Sequence, residues 1–276
     1  MYYILYNPSI IDDKSKKKID KLFQKLSGID ECYKLNLFEI NGKEIVFLKS
    51  LNEDDVIYLC GGDGTLNHFI NNVGKEIFKC KILYYALGSR SDFKKDFKND
   101  TFIDLKPIVE FMPSFYINGE EKHYFLNGVG VGLDAVLCRS KMQQRITGYK
   151  RTNIRIMAST IKKFRTYSLD IEVDDEKYHY DNVWFMSCCN GKYTGGLKVA
   201  PEAIRDDGMF DLIIVHDIPR WKLFLISPFT GFKFLKKIKG VEYVNCRKVR
   251  AIPDGCTILQ KDGETLDYAR EIRIEC

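Results

Sequence analysis

The sequence lacks the features of disulfide-stabilised, zinc-binding and membrane-spanning proteins. Its nine cysteines include no C-x-x-C pair and are odd in number, so we interpret them as small buried side chains in a reducing compartment. The four histidines have no metal-binding spacing. No apolar run approaches about 18 residues, and residues 1–8 contain no basic signal-peptide region. We therefore expect a cytoplasmic protein without a membrane-spanning helix.

The remaining composition is that of an ordinary globular protein. Of the 276 residues, 45% are hydrophobic and 29% are charged, and no internal repeat or low-complexity tract is visible. This length favours about two domains. A net charge of +5 favours an acidic ligand or an anionic surface without requiring either.

A glycine-rich turn after a short apolar run is the most informative stretch. Residues 56–60 are rich in strand-forming side chains, and from Leu66 onward the apolar residues fall at helical spacing. The residues between them are Gly61, Gly62, Asp63, Gly64 and Thr65. Glycines allow the backbone to approach an anion closely, and the first N–H groups of a helix have no internal partners. The stretch therefore predicts a phosphate-binding turn between a strand and a helix.

This turn also has a purely structural interpretation, in which the glycines only supply positive φ angles. For a lone Gly-Gly pair that interpretation would be the better one. The order of five residues after a buried strand favours a nucleotide site instead, although Gly-Lys-Ser/Thr and the G-x-G-x-x-G spacing are both missing from the turn. A carboxylate such as Asp63 beside a triphosphate is tolerable only if it holds a metal ion, directly or through water, or accepts a proton.

The first part of the chain alternates strands and helices. We predict strands at 2–6, 32–40, 56–60 and 80–87, with helices at 14–26, at 43–49 and from residue 66 onward. This order indicates a parallel sheet whose site lies at the carboxyl ends of the strands. Asn7, Asp63 and Ser89 would then line one rim.

After residue 110 the pattern changes to antiparallel strands. Predicted hairpins span 111–129 and 165–189, further strands span 210–215, 241–252, 257–260 and 271–275, and helices span 152–164 and 221–237. We therefore predict a domain of residues 1–110 and a sandwich or barrel of residues 111–276. Gly128, Gly130 and Gly132 lead from a hairpin, so we expect close backbone packing there and not a dinucleotide loop.

Seven short motifs follow one another along residues 2 to about 268. They are Asn7-Pro8, Gly61-Gly-Asp-Gly-Thr65, Gly88-Ser-Arg-Ser-Asp-Phe93, Phe125-Leu-Asn-Gly-Val-Gly-Val-Gly-Leu-Asp-Ala135, Asn190-Gly-Lys-Tyr-Thr-Gly-Gly-Leu-Lys-Val-Ala-Pro201, Asp206-Asp-Gly208 and Asp262-Gly-Glu264. Alone, the last two are ordinary turn and hairpin signals. In this order the seven motifs resemble the diacylglycerol kinase catalytic-domain family, which includes bacterial soluble diacylglycerol kinases and the sphingosine and ceramide kinases.

The resemblance implies both a fold and a site. The fold is an α/β N-terminal domain with a parallel sheet like that of phosphofructokinase and NAD kinase, a mostly antiparallel β-sandwich C-terminal domain, and a lipid and catalytic cleft between them. ATP phosphates would bind over residues 61–65, and the nearby nucleotide contacts would be Asn7, Pro8, Ser9, Asn67 and Ser89. Asp63 would help organise a catalytic Mg²⁺, and Asp262 would be the general base with Glu264 close by. A structural Mg²⁺ would be held by the Asp207 side chain and the main-chain oxygens of Ile204 and Met209.

Two motifs depart from the family pattern. Arg90 and Ser91 stand where the family usually has glycine and asparagine, and Ile10 follows Ser9 where the family usually has glycine. Arg90 either pairs with a phosphate or fills the nucleotide pocket. Both interpretations stay open, and the affinity for ATP depends on which one holds.

Residues 221–239 combine aromatic side chains with lysines. The aromatic and apolar members include Trp221, Phe224, Phe229, Phe232, Phe234 and Leu235, and the lysines are Lys222, Lys233, Lys236, Lys237 and Lys239. This composition is typical of a membrane-surface segment, and a buried amphipathic helix with solvated lysines is the alternative. We hypothesise that this face contacts anionic bilayers.

The sequence thus predicts an ATP- and Mg²⁺-dependent lipid kinase that phosphorylates a hydroxyl group of a diacylglycerol-like lipid. The expected partners are ATP and a lipid alcohol, with peripheral contact to a membrane and no nucleic acid, and a homodimer is left open. One alternative is a NAD kinase, which shares the Gly-Gly-Asp-Gly turn but gives no reason for the motifs at Asp206 and Asp262. The other is a non-catalytic lipid- or nucleotide-binding relative with a degenerate ATP site, as Arg90, Ser91 and Ile10 would suggest.

Overall fold

The computed structural model describes residues 1–8, 11–75, 79–88, 91–147, 152–226, 236–255 and 257–276. These residues form two compact units, Met1–Phe111 and Met112–Cys276. Each unit contains its own sheet and its own cluster of buried apolar side chains.

The first unit is built on a five-stranded sheet with the order β2-β1-β3-β4-β5. Its strands are β1 (Tyr2–Tyr6), β2 (Cys32–Asn36), β3 (Val56–Gly61), β4 (Lys81–Ala86) and β5 (Ile103–Asp104). Its helices are α1 (Asp13–Ser27), α2 (Glu44–Lys49), α3 (Asp63–Val73), α4 (Asp92–Asp96) and α5 (Lys106–Glu110). Strands β1 to β4 pair in parallel, and the short β5 pairs antiparallel with β4. The predicted parallel sheet is confirmed.

Strand β3 occupies the middle of this sheet. Ile57 and Leu59 are fully buried, since β3 is flanked by β1 and β4. In the parallel register, Tyr6 lies opposite Cys60, and Gly61 lies opposite Ala86. The residues that follow β1, β3 and β4 therefore meet at one edge of the sheet.

Two boundaries predicted in this unit are wrong. The helix after β3 begins at Asp63 and not at Leu66, because Leu66 N already donates to the carbonyl of Gly62. The three residues before Leu66 carry no apolar periodicity, so the spacing of apolar residues does not reveal this first turn. The strand predicted at 32–40 ends at Asn36, whose side chain accepts from Phe38 N and starts a 3₁₀ turn.

The second unit is built on an eleven-stranded sheet in which all pairs are antiparallel, with β11 and β12 forming a separate pair. Its strands are β6 (Ser114–Ile117), β7 (His123–Tyr124), β8 (Gly128–Gly132), β9 (Tyr167–Val173), β10 (Glu176–Cys189), β11 (Tyr193–Thr194), β12 (Leu197–Lys198), β13 (Phe210–His216), β14 (Val241–Cys246), β15 (Lys248–Pro253), β16 (Thr257–Lys261), β17 (Glu264–Ala269) and β18 (Ile272–Glu275). The mostly antiparallel second domain is confirmed.

Strand β8 consists only of glycine and valine and lies between β10 and β16. A Cβ atom on Gly130 would lie 2.2 Å from Asp134 Oδ2 and 2.8 Å from the carbonyl oxygen of Met186. Gly132 has a φ of +99°, which disfavours any residue with a side chain. The glycines of this run therefore serve close packing, as predicted.

Several strands of this unit divide differently from the prediction. The hairpin predicted at 111–129 contains β6 and β7, but β8 leaves it to pair with β10 and β16. The strand predicted at 241–252 is two strands, β14 beside β13 and β15 between β9 and β18. Strand β17 was not predicted, and it completes a hairpin with β16 around Asp262 and Gly263.

The helices of the second unit are α6 (Leu133–Thr147), α7 (Asn153–Lys163) and α8 (Arg220–Ile226). Helix α6 was not predicted, and the helix predicted at 221–237 ends at Ile226 as far as the chain is described, because residues 227–235 lie outside the described residues. Within the described ranges, no helix has both the length and the apolar character needed to cross a membrane.

Candidate functional site

The glycine-rich turn joins the central strand of the first unit to a helix. Gly61 ends β3, and Gly62 is the N-cap of α3 without a side-chain hydrogen bond to the helix. The first N–H groups of a helix have no intrahelical acceptors, and they lie at the positive end of its dipole. The turn therefore has the geometry of an anion site, with amides of Asp63, Gly64 and Thr65 at the helix start.

The two glycines before the helix have different surroundings. A Cβ atom on Gly61 would lie 2.6 Å from Thr65 Cβ, so the Thr65 side chain packs against the backbone there. A Cβ atom on Gly62 would meet no atom within 4 Å. Thr65 Oγ1 is buried and has no hydrogen-bond partner among the described residues. Open space at Gly62 and an unsatisfied hydroxyl at Thr65 both fit a phosphate group.

Asp63 contacts the segment that follows β4. Its carboxylate accepts hydrogen bonds from Ser91 Oγ, from Asp92 N at 2.6 Å and from Phe93 N at 3.4 Å. Burial raises the pKa of the Asp63 carboxyl, and these hydrogen bonds oppose the rise. Ser91 is also the N-cap of α4, with its Oγ accepting from Lys94 N at 2.9 Å. Asp63 thus anchors the start of α4.

Tyr84 contacts the glycine-rich turn, which the sequence did not reveal. It is fully buried, and its hydroxyl donates to the carbonyl oxygen of Gly61 at 3.1 Å. Burial raises the pKa of Tyr84, with the nearby Asp63 as a further cause. A tyrosine in an apolar strand gives no sign of this role, since the hydrogen bond depends on the pairing of β3 with β4.

The remaining nucleotide residues predicted in this unit have different positions. Asn7 follows β1 at the same sheet edge as the glycine turn, and Pro8 is exposed. Asn67 lies within α3 and is buried, and its carbonyl and side-chain oxygens accept from Asn71 Nδ2. Ser9 and Ser89 lie outside the described residues, as do Ile10 and Arg90.

In the second unit, Asp262 sits in the tight turn between β16 and β17. Asp262 and Gly263 have φ angles of 51° and 87°, which suits the Asp-Gly sequence of a two-residue hairpin turn. The Asp262 carboxylate accepts from the amides of three consecutive residues, Leu126 at 2.9 Å, Asn127 at 2.6 Å and Gly128 at 3.0 Å. Burial raises the pKa of the Asp262 carboxyl, and the three amides oppose the rise.

The buried Arg205 supports the segment that holds Asp262. Its guanidinium donates to the carbonyl oxygen of Leu126 and, at 2.8 Å, to Asn127 Oδ1. A Cβ atom on Gly191 would lie 2.0 Å from Arg205 Nη2, so a glycine is needed beside the guanidinium. Arg205 was not predicted, because its partners lie 78 and 79 residues away in the sequence.

Gln260 links the turn of Asp262 to a second carboxylate, that of Asp134. Gln260 is fully buried, its Oε1 accepts from Gly263 N at 3.1 Å, and its Nε2 donates to Asp134 Oδ2 at 3.3 Å. Burial raises the pKa of Asp134 to about 7. No role was predicted for Asp134, although a lone carboxylate after a glycine and valine strand was a usable signal.

Asp134 and Gln260 form part of the wall of an apolar cavity in this unit. Most of the wall is aliphatic and comes from α6, α7, α8 and β13; it includes Leu133, Leu137, Ile161, Ile213, Val215 and Leu223. Lys141 also lines the cavity, and its Nζ donates to the carbonyl oxygen of Gly195 at 2.9 Å. A ligand with an apolar body and a polar end fits such a lining.

The predicted metal ligands of the second unit lie in an exposed turn before β13. Asp207 and Ile204 are exposed, and Asp207 Oδ1 accepts from Met209 N at 2.9 Å. One carboxylate and two carbonyl oxygens are the kind of donors that Mg²⁺ accepts. Among the described residues, no group of three or more His, Cys, Asp or Glu side chains is arranged to hold a metal ion. Glu264 is exposed at the start of β17, two residues after Asp262.

The structure thus brings the predicted residues into two groups, one in each unit. In the first unit, Asn7 and the turn of Gly61, Gly62 and Asp63 share a sheet edge. In the second unit, Asp262 is joined through Gln260 to Asp134 and the apolar cavity.

Comparison with known proteins identifies the family. Residues 1–112 match the diacylglycerol kinase catalytic domain, and residues 127–271 match the YegS C-terminal NAD kinase beta sandwich-like domain. The chain is 25% identical over 224 residues to the diacylglycerol kinase of Staphylococcus saprophyticus, covering 77% of this chain and 72% of that protein. It is 24% identical over 226 residues to the diacylglycerol kinase of Staphylococcus aureus (strain MRSA252), covering 77% and 70%.

A solved structure has the same fold. The crystal structure of a diacylglycerol kinase from Bacillus anthracis str. Sterne superposes with a TM-score of 0.67 at 16% identity, covering 99% of this chain and 92% of that one. With matches to both parts of the chain, in the order that the motifs predict, this protein belongs to the diacylglycerol kinase catalytic-domain family.

Proposed function

We propose that the protein is an ATP- and Mg²⁺-dependent lipid kinase that phosphorylates a hydroxyl group of a diacylglycerol-like lipid. The observation that carries the proposal is the apolar cavity whose polar wall, Asp134 and Gln260, is hydrogen bonded to the turn of Asp262. Such a cavity suits an acyl chain with a polar end, and a carboxylate beside the polar end suits a proton acceptor. The names of the two staphylococcal relatives support the same acceptor class.

The first unit would bind ATP. Its phosphates would meet the N–H groups at the start of α3, where Gly62 leaves open space and Thr65 Oγ1 lacks a partner among the described residues. Asn7 and Pro8, at the same sheet edge, are further proposed contacts. Ser9 and Ser89, which are outside the described residues, remain predicted contacts.

The second unit would bind the lipid and accept the proton. As the lipid oxygen bonds to the γ-phosphorus, the bond from that phosphorus to the β,γ-bridging oxygen breaks and ADP leaves. The proton of the lipid hydroxyl passes to the carboxylate of Asp262. The raised pKa makes Asp262 a stronger base than an ordinary aspartate, and Arg205 and the amides of residues 126–128 fix its orientation.

Magnesium bound with ATP would neutralise charge on the β- and γ-phosphate oxygens. Asp63 is the proposed protein group for this ion, and because its oxygens already accept hydrogen bonds from residues 91–93, we propose that it acts through water. Asp207, with the main-chain oxygens of Ile204 and Met209, is proposed for a separate structural ion, for which oxygen donors are suitable.

Transfer of the γ-phosphate of labelled ATP to a panel of lipid alcohols in mixed micelles, with Mg²⁺, tests the function. Labelled lipid is the expected product, and it identifies the acceptor. Asp262→Asn is the inactive control, and Asp54→Asn, at an exposed position of the first unit, is the matched control that should transfer normally. The absence of labelled lipid from every acceptor would contradict the proposal.

Two other outcomes correspond to the alternative functions. Lipid binding without a thermal shift from Mg-ATP would indicate a non-catalytic relative with a degenerate nucleotide site. Ser91 was one reason for considering that alternative. This reason is weakened, because Ser91 caps α4 and donates to Asp63. Formation of NADP from NAD and ATP would indicate a NAD kinase instead.

A further inference from the structure

Two helices of the second unit form part of the wall of the apolar cavity. Helices α7 and α8 pack against each other, and Arg220 at the start of α8 donates to the carbonyl oxygens of Lys162 and Phe164 at 2.9 and 2.8 Å. The last carbonyl groups of a helix receive no hydrogen bond from N–H groups of the same helix. Arg220 supplies donors for these two carbonyls and so joins α8 to the end of α7. Their inner faces line the cavity with Met157, Ile161, Leu223 and Ile226.

The outer face of the same two helices exposes large apolar side chains. Their exposed fractions are 72% for Ile154, 67% for Trp221, 58% for Leu225 and 43% for Phe224. We call these four residues the α7–α8 surface. Trp221, Phe224 and Leu225 also line a shallow groove between the helices. Contiguous exposed apolar groups on a globular protein mark a contact site for another molecule or for a membrane.

The two sequence segments that contain α7 and α8 carry charge of one sign. Residues 135–169 contain nine Lys and Arg and no Asp or Glu, and residues 218–241 contain six Lys and Arg and no Asp or Glu. The chain outside these two segments therefore contains 28 of the 43 Lys and Arg residues and all 38 of the Asp and Glu residues. The basic side chains are therefore concentrated on the two segments that contain α7 and α8, and the rest of the chain is acidic.

We infer that the α7–α8 surface docks on bilayers that contain anionic lipids. The four apolar side chains would enter the headgroup boundary, while Arg155, Lys162, Lys163, Arg220 and Lys222 would stay among the anionic headgroups. A second copy of the same face is a poor partner, because a symmetric contact would oppose like charges. This interaction surface goes beyond the proposed reaction, and its evidence does not depend on catalysis.

Tryptophan fluorescence can report docking directly. The chain has two tryptophans, and Trp184 is 3% exposed with its indole N–H bonded to the carbonyl oxygen of Ile218, whereas Trp221 is 67% exposed. We expect the emission to shift to shorter wavelength with vesicles of phosphatidylglycerol and phosphatidylcholine. The shift should be absent in Trp221→Phe and should diminish with added salt.

Vesicle flotation of the full chain measures the affinity. Trp221→Ser combined with Leu225→Ser should weaken binding by about tenfold or more, through lost apolar contact. Lys162→Glu combined with Lys163→Glu should weaken it by about tenfold, through charge. Phe38→Ser and Lys248→Glu, which change an exposed aromatic and an exposed lysine elsewhere, are the matched controls and should bind like the unaltered protein.

Three results would overturn the inference: equal flotation with neutral and anionic vesicles, flotation without any change in Trp221 emission, or no binding to anionic vesicles. Phosphate transfer to a short-chain lipid alcohol, dissolved in detergent without vesicles, tests the kinase proposal separately from docking. The docking variants should keep that activity, because their altered side chains are not among those that line the cavity. If a docking variant with an unchanged melting temperature lost both vesicle binding and phosphate transfer in detergent, that result would also count against the inference.

Discussion

Gln260 Nε2 donates a hydrogen bond to Asp134 Oδ2 at 3.3 Å, so a neutral amide connects the turn of Asp262 with a carboxylate at the wall of the apolar cavity. A carboxylate in such surroundings is costly for the fold when it is ionised. A protein that keeps one there gives up stability, as functional sites commonly do. Asp134 is therefore a candidate for binding the polar end of the lipid.

The pH dependence of stability should report this cost. Because the pKa of Asp134 is raised to about 7 in the fold, above the ordinary 3.8, the folded state holds more protons than the unfolded state between these values. The free energy of unfolding contributed by Asp134 therefore falls as pH rises from about 4 to about 7, by about 4 kcal/mol at most. Asp134→Asn cannot ionise, so we expect it to be more stable than the unaltered protein at pH 8 but not at pH 4.

Urea denaturation at several pH values measures this difference. Asp54→Asn, which replaces an exposed aspartate and keeps Asp134, is the control, and its stability should depend on pH as that of the unaltered protein does. Asp134→Asn should also transfer phosphate poorly to lipid at pH 8. If the difference in stability between Asp134→Asn and the unaltered protein stayed constant from pH 4 to pH 8, the pKa of the Asp134 carboxyl would not be raised in the fold.

Asp63→Ala should lower stability as well as activity. The substitution removes the acceptor for Ser91 Oγ–H and for the amides of Asp92 and Phe93 at the start of α4. Leaving such groups without a partner costs about 1 to 3 kcal/mol. We expect a folded protein with a lower melting temperature and no measurable transfer. Asp100→Ala, at an exposed position after α4, should change neither property, and an unchanged melting temperature in Asp63→Ala would refute the anchoring role.

The sequence could predict the turn around Asp63 but not what its carboxylate contacts. The apolar run of β3 and the glycines after it are local signals, so strand, turn and helix follow from spacing. The hydrogen-bond partners of Asp63 lie 28 to 30 residues later, and those of Asp262 lie 134 to 136 residues earlier. Such pairings depend on which strands become neighbours, which local patterns do not specify.

Helices and strand boundaries in the second unit were harder to predict for a similar reason. Helix α6 has a polar second half with Gln143 and Gln144 among basic residues, which resembles a loop. Its first half is instead fixed by tertiary packing, with Leu133 and Ala135 buried. The exposed apolar face of α8 was partly visible in the sequence, but the contribution of Ile154 from α7 required the packing of the two helices.

Paired substitutions at Gly61 and Gly62 can separate packing from ligand binding. A Cβ atom at Gly61 would collide with Thr65, so Gly61→Ala should lower the free energy of unfolding by about 1 to 3 kcal/mol. Gly62 has a φ of −97° and open space, so Gly62→Ala should change stability by less than about 1 kcal/mol. If ATP phosphates approach there, Gly62→Ala should still weaken ATP binding. Normal ATP affinity in a stable Gly62→Ala variant would contradict the phosphate site.

Asp262→Asn should abolish most transfer, by about 10² to 10⁴-fold in kcat. The asparagine side chain would also set an N–H donor against the amides of residues 126–128, so a lower melting temperature should accompany the loss. Since the pKa of Asp262 is raised and the base must be ionised, kcat/KM of the unaltered protein should fall with decreasing pH at a higher pH than for an ordinary aspartate. Glu264→Gln, at an exposed neighbouring position, should have a much smaller effect, and an equal loss there would argue against Asp262 as the sole base.

Arg205 acts on Asp262 only through the chain between Leu126 and Gly128, which makes it a positioning residue. Arg205→Lys keeps the charge but cannot donate at once to the Leu126 carbonyl and to Asn127 Oδ1 with the same planar geometry. The amides that hold Asp262 would then be less fixed, so we expect kcat to fall by about tenfold or more while KM for ATP is unchanged. If Arg205 had only a structural role, Arg205→Lys would lower the melting temperature without moving the acidic limb of the dependence of kcat/KM on pH. Because the same amides oppose the rise in the pKa of Asp262, loosening them should move that limb to higher pH. A destabilised Arg205→Lys variant with an unshifted limb and normal kcat would mean that Arg205 serves the fold alone.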